Sequence, residues 1–209
     1  MPMRFLLVLV WLIFAPIGLA AEPLRIIYDD VFPPFTFQDE DGRARGLHVE
    51  LVATALDLAE IPYSLTGVPW KRVVLLADTG KADIAIPFRH KPERFERYHM
   101  IGPMTLTGSR TFVFTTAERQ VERKGFAGLK GLRIGLIDGF AYPEEVDKAR
   151  GLDLYRLNGS TRTLAQFMLV GRVDTLVSDE TVFWDAAVEL GEERFRTLGE
   201  PLDRVFRYM

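Results

Sequence analysis

Arg94 and Asp179 are the side chains of this sequence most suited to holding a small charged molecule. Each follows one copy of a short pattern: Gly80-Lys81-Ala82-Asp83-Ile84-Ala85-Ile86 precedes Arg94, and Gly171-Arg172-Val173-Asp174-Thr175-Leu176-Val177 precedes Asp179. A planar guanidinium pairs both oxygens of a carboxylate at once, and a carboxylate accepts hydrogen bonds from an ammonium. Two related halves would then present opposite charges to something held between them, and a small zwitterion suits such a cleft. Each residue also has a plainer reading. Arg94 lies in the charged run Lys91-Pro92-Glu93-Arg94-Phe95-Glu96-Arg97, where it could pair at the surface with Glu93 or Glu96. Asp179 could cap a helix starting at Glu180, and one carboxylate can do both jobs.

Other chemistries lack their residues. The three histidines, His48, His90 and His99, are never spaced i, i+4, and the chain has no cysteine, so no metal site is expected. Disulfides, thiol catalysis and lipid attachment to an N-terminal cysteine are excluded for the same reason. No Gly-x-Ser-x-Gly elbow and no Gly-x-x-x-x-Gly-Lys-Ser/Thr loop occurs, and Gly125, Gly128 and Gly131 read as linker turns. No cofactor is expected. With 26 basic and 29 acidic residues, a net charge of −3, nothing points to a nucleic-acid partner.

The elements that must position Arg94 and Asp179 follow from the repeat. A glycine just past a helix end takes the left-handed conformation, a basic residue suits the helix's negative pole, and the β-rich run leads back inside. Around it, strand-like and helix-like segments alternate: strand 24–28, helix 46–59, strand 61–66, helix 69–78, strand 82–86, then an extended exit at 110–115. The helix at 46–59 is expected to bury Leu47, Leu51, Val52, Ala55, Leu58 and Ala59. Phe32-Pro33-Pro34-Phe35 is expected to be irregular, in a long loop at the carboxyl end of the first strand, followed by a turn at Asp39-Glu40-Asp41-Gly42. Beyond the charged, glycine-containing stretch 118–131 the alternation resumes at 132–137, 143–150, 152–157, 161–170, 173–177 and 180–190, with Ser160 as an N-cap. The sequence thus predicts an α/β protein of two lobes, 22–117 and 118–209, with its ligand crevice beyond the carboxyl ends of the strands. Residues 1–21 read as a cleavable secretory leader: a basic start at Arg4, an apolar run Phe5–Phe14, then Pro16-Ile17-Gly18-Leu19-Ala20-Ala21. A retained anchor is the rival reading, but a spanning helix needs about 20 residues without such breakers. The mature protein is expected to be soluble and periplasmic.

The order of motifs resembles the bacterial extracellular solute-binding proteins of family 3, the type 2 periplasmic binding proteins. The likeness is carried by Leu24-Arg25-Ile26-Ile27-Tyr28-Asp29 running into Phe32-Pro33-Pro34-Phe35, then Gly42, Gly46-Leu47 and Pro69-Trp70-Lys71-Arg72. Both repeat copies, Pro92-Glu93-Arg94 and Gly128-Leu129-Lys130-Gly131-Leu132-Arg133-Ile134-Gly135 complete it. The resemblance implies a two-lobed fold, capture of an amino acid or organic acid without covalent chemistry, and an ABC transporter permease as partner. The Pro-Trp-x-Arg variant also looks like a branch whose members often lack an evident transporter. Arg94 matches the residue that clamps the ligand's α-carboxylate, Asp179 the one that takes its ammonium, and Phe32 the ring placed against its side chain. Asp29 resembles a position that reads the ligand side chain, with turn capping as the alternative, and Trp70 either roofs the cleft or anchors its helix. Where the family carries hydroxyl-bearing residues before the arginine, this chain reads Pro87-Phe88-Arg89-His90; where it carries Gly-Ser/Thr-Thr, the chain reads Gly139-Phe140-Ala141. Phe88 and Phe140 are therefore expected to make the pocket apolar, and the hydroxyl donors are expected to be missing. A cyclohexadienyl-type dehydratase and a stand-alone ligand-sensing subunit are the alternatives that related proteins suggest. Family members usually continue past the strand-like 202–209, crossing back to the first lobe with a helix that covers its apolar face, so either a truncated product or a minimal variant with an uncovered apolar patch on the first lobe is expected.

Overall fold

The computed structural model describes residues 22–105, 108–122 and 125–209. The leader read at 1–21 lies outside the described residues. Strand β1 (Leu24–Asp29) forms the middle of the first sheet. After it, β2 (Val31–Phe32), β3 (Thr36–Gln38) and β4 (Ala44–Arg45) form a small antiparallel sheet. The expectation of an irregular loop is corrected here: only Pro33, Pro34 and Phe35 occupy a turn, and Phe32 pairs across it with Thr36. Prolines cannot donate to a ladder, but they fit the turn that joins two short strands. Helix α1 (Leu47–Leu58), strand β5 (Tyr63–Val68), helix α2 (Trp70–Asp78) and strand β6 (Ile84–Ile86) complete this part, with β5 and β6 flanking β1 in parallel.

Helix α1 buries a different face from the one its leucines suggest. His48, Val49 and Val52 are its buried residues, whereas Leu47, Leu51 and Leu58 are 52%, 43% and 82% exposed. Val49, Val52 and the half-buried Leu56 follow the i, i+3, i+7 spacing of one stripe and pack with Ile26, Tyr28 and Ile86. The exposed leucines fall outside that stripe. At the start of the helix Gly46 has φ 111°, and a Cβ there would lie 2.5 Å from the carbonyl oxygen of Phe35. Glycine is required by contact as well as by conformation.

Strand β7 (Phe88–Arg89) and helix α3 (Pro92–Arg97) precede the second sheet. That sheet contains β8 (Ser109–Thr116), β9 (Arg133–Ile137), β10 (Asp153–Leu157), β11 (Thr175–Asp179), β12 (Phe195–Thr197) and β13 (Asp203–Val205), in the order β10-β9-β11-β8-β12 with β13 also on β8. Strand β8, read as the exit from the first lobe, is instead an inner strand of this sheet, antiparallel to β11, β12 and β13. Its alternation explains the placement: Phe112 and Phe114 enter one cluster with Leu164, Leu176 and Phe183, while Val113 enters the other with Ile134, Leu136 and Val177. Both faces are covered, which suits a central strand and not a linker. Helices α4 (Glu144–Asp147), α5 (Thr161–Leu169) and α6 (Glu180–Val188) pack around it; α4 is shorter than the 143–150 stretch predicted. As predicted, the Ser160 side chain caps α5 by accepting from the Thr163 N–H.

The two repeat copies have the same backbone. Gly80 and Gly171 have φ 65° and 72°. The next amides, of Lys81 and Arg172, bond back to Leu76 and Phe167 at 2.9 and 2.8 Å. The aspartates then tie to the neighbouring strand, Asp83 accepting from the Arg25 N–H at 2.8 Å and Asp174 from the Arg133 N–H at 2.7 Å. Finally β14 (Arg207–Tyr208) leaves the second sheet and pairs with β7. Its backbone also takes the Met104 N–H on Arg207 at 2.8 Å, fixing the last residues between the two sheets.

Candidate functional site

The last residues of β1, β9 and β11, which are Asp29, Ile137 and Asp179, line one cleft. This is where open α/β sheets place their ligand crevices. Trp70 from the start of α2, Arg89 from β7, Arg94 from α3, Phe140 from the turn after β9 and Arg207 from β14 complete its walls. Of the residues singled out in the sequence, Asp29, Phe32, Trp70, Arg94, Phe140 and Asp179 meet here. Phe88 does not: it is buried behind Arg94, whose guanidinium carbon lies 4.8 Å from its ring centre. The hydroxyls expected to be missing come from other segments, with Thr111, Thr161 and Ser178 on the lining.

Arg94 donates from Nη1 to the carbonyl oxygen of Arg89 at 3.0 Å and also faces Trp70 at 5.8 Å. Among the described residues it makes no ion pair, so the surface pairing with Glu93 or Glu96 is not formed. Burial lowers its pKa, opposed by weaker attraction from Tyr98 and Glu93. A guanidinium stripped of water and given no carboxylate is a site for an anion.

Asp179 does cap α6. Its Oδ1 accepts from Thr181 N at 2.9 Å, Val182 N at 3.4 Å and Ser109 Oγ at 2.6 Å. Its Oδ2 is held by Arg207 Nη2 at 2.5 Å, in an ion pair with both side chains under one-tenth exposed. Arg207 lies over the rings of Phe35 at 4.5 Å and Phe32 at 5.2 Å. Burial pulls the Arg207 pKa down and Asp179 opposes that pull. Sequence reasoning missed Arg207, although the signal was there: along Asp203-Arg204-Val205-Phe206-Arg207 it shares the inward phase of Val205, and an inward arginine needs a carboxylate. Arg89, also missed, pairs with Asp203 and donates to Thr111 Oγ1 at 3.2 Å.

Two buried titratable groups flank this arrangement. Asp29 is 1% exposed, and among the described residues its carboxylate accepts only a long bond from Val31 N at 3.4 Å. Burial therefore pushes its pKa up to about 7, with Asp30 adding a smaller push. His48 stacks on Phe35 with centroids 4.7 Å apart, and neither ring nitrogen has a hydrogen-bond partner among the described residues. Burial, then the nearby Arg207 charge, lower its pKa to about 4.

The cleft is clasped. Trp70 Nε1 donates to the Gly139 carbonyl at 2.8 Å, and Lys71 and Lys91 reach Asp138 and Asp147 at 2.5 and 2.7 Å. Phe140 sits edge-on to both Phe32 and Trp70, at 5.5 and 5.9 Å. The space left inside is about 60 Å³. That holds a few waters, so a solute the size of an amino acid needs the lobes to part or these rings to move.

Comparison with known proteins agrees with this fold. The family described as bacterial extracellular solute-binding proteins, family 3, matches residues 24–189. The L-cystine-binding protein TcyJ of Escherichia coli (strain K12) is 26% identical over 183 residues, covering 87% of this chain and 67% of TcyJ. A probable amino-acid ABC transporter-binding protein of Haemophilus influenzae is 22% identical over 165 residues, covering 78% of this chain and 62% of its own length. Among solved structures, a point mutant of arginine-bound ArgBP from T. maritima superposes with a TM-score of 0.77 at 18% identity, over 88% of this chain and 85% of that one. The arginine-, lysine-, histidine-binding protein ArtJ from Geobacillus stearothermophilus gives 0.77 at 19% identity, over 90% and 80%.

Proposed function

Since this chain belongs to the bacterial extracellular solute-binding proteins of family 3, matched over residues 24–189, we propose that it captures one small amino acid or organic acid in the cleft between its lobes. The observation that carries this reading is Arg94, a largely buried cleft guanidinium with no ion-pair partner among the described residues. In this reading Arg94 takes the solute's carboxylate, while Phe32, Trp70 and Phe140 enclose its apolar part. Asp29 faces the side-chain end and Phe88 supports Arg94 from behind. The clasp between Trp70 and Gly139 opens to admit the solute and re-forms around it, a hinge motion. Binding is all the cleft does, and the solute passes from the periplasm to a membrane ABC permease.

A thermal-shift panel of amino acids and organic acids tests the reading. A solute at 100 times its Kd adds about 2.7 kcal/mol to folded stability, or roughly 5–10 °C for a chain of this size. No shift across the panel contradicts it. One observation favours a second reading, in which the cleft is catalytic: Asp29, with its pKa pushed up to about 7, is poised to exchange a proton. Incubation with a cyclohexadienyl acid distinguishes the two, because a dehydratase generates an aromatic absorbance and a binding protein leaves the spectrum unchanged.

A further inference from the structure

We infer that Arg207 is an internal substitute for a solute ammonium, so that the cleft selects small monocarboxylates without an α-amino group over the corresponding amino acids. This rests on the proposed solute-binding function and narrows its ligand class. A carboxylate offers about four lone-pair sites. Asp179 has four donors already: Ser109 Oγ, Thr181 N and Val182 N on one oxygen, and Arg207 Nη2 on the other. Oδ1 is therefore fully engaged, and the lone pair left on Oδ2 lies beside the Arg207 guanidinium, which an ammonium brought to this carboxylate would meet at close range. Like charges in a space drained of water repel strongly.

Arg207 is also not free to swing away. Its strand pairs with β7, its carbonyl accepts from Met104 N at 2.8 Å, and its guanidinium is covered by Phe35 at 4.5 Å. The remaining charges lead to the same solute. Among the described residues that line the cleft, Arg89 is neutralised by Asp203 and Arg207 by Asp179, and burial favours the neutral acid form of Asp29, which leaves Arg94 as the uncompensated cation. One monoanion balances it.

Isothermal titration with matched pairs tests this: 3-phenylpropanoate against phenylalanine, and 4-methylpentanoate against leucine, on the wild-type protein. Each pair differs by the ammonium alone. The inference expects the deamino acid to bind at least tenfold more tightly in at least one pair. It also expects the double variant Asp179→Asn with Arg207→Met, which orphans no charge, to bring that ratio towards one. If the amino acid binds as tightly as its deamino partner or more so, and Arg94→Met weakens both, the inference falls while solute binding stands. A tenfold preference that survives unchanged in the double variant also overturns it, because Arg207 would then not be its source. If neither pair binds and no member of the broader thermal-shift panel shifts the melt, the inference and the proposed function fall together.

Discussion

Replacing Arg94 by methionine is predicted to move stability and binding in different ways. In the folded chain the guanidinium contributes one hydrogen bond to the Arg89 carbonyl and contacts with the Phe88 and Trp70 rings. A charged hydrogen bond is worth about 1.5–3 kcal/mol and the ring contacts about 0.5–2 kcal/mol. Against these stands the desolvation of a cation with no carboxylate partner, itself several kcal/mol, which methionine removes while filling the same stem volume. The two sides nearly cancel, so Arg94→Met should melt within about 2–4 °C of the wild type, a change of about 1 kcal/mol. Binding has no such compensation. A solute carboxylate left buried and unpaired costs about 2–5 kcal/mol, or roughly 30- to 4,000-fold in affinity. Differential scanning calorimetry reads the first quantity and isothermal titration the second. A variant that loses more than about 3 kcal/mol of stability yet binds within threefold of wild type would refute the reasoning and make Arg94 a structural residue.

Asp29 ionises at about 7 in the folded protein against 3.8 when unfolded, so its contribution to stability is fully present below pH 3.8 and is lost as pH rises through 7. Asp29→Asn should gain on the wild type across that window by up to about 4 kcal/mol, read from paired melts at several pH values; a constant difference contradicts the buried-acid account. His48 has the opposite sign: its pKa falls from 6.5 to about 4, so its contribution is present above pH 6.5 and lost as pH drops towards 4, and His48→Leu should remove that acid-side loss. Gly46→Ala forces a Cβ to 2.5 Å from the Phe35 oxygen at a positive φ, and should cost about 3 kcal/mol or more in denaturant unfolding. Phe140→Ala removes the ring between Phe32 and Trp70, and should weaken apolar solutes by about tenfold while leaving acetate affinity within threefold; equal losses for both would deny it a role in the apolar wall.

Local chemistry accounts for what was legible in the sequence. Gly80 and Gly171 end their helices with the conformation and back-bonding that their repeat predicts, and the following aspartates tie equivalent strands. Ser160 caps α5 for the same local reason. Arg94 and Asp179 come to one cleft because each follows an equivalent αβ unit. What failed depended on partners distant in the chain. The exposed leucines of α1 look like a core stripe until the sheet beneath selects Val49 and Val52. Strand β8 looks like an exit from the first lobe because its run of phenylalanine, valine and threonine does not reveal three antiparallel partners. The Asp179–Arg207 pair joins residues 28 apart in sequence, and only the return of β14 between the sheets brings them together. Phe88 was expected on the pocket wall, but the sequence did not reveal that it lies buried behind Arg94 instead, since its strand partner is also β14.

The most direct test of the central claim is a crystal structure of the protein grown with 3-phenylpropanoate. The account predicts one molecule between the lobes, its carboxylate oxygens about 2.7–3.2 Å from the Arg94 guanidinium and its ring against Phe32 and Phe140. Electron density for the acid elsewhere on the surface, with Arg94 still bonded only to the Arg89 carbonyl, would contradict it.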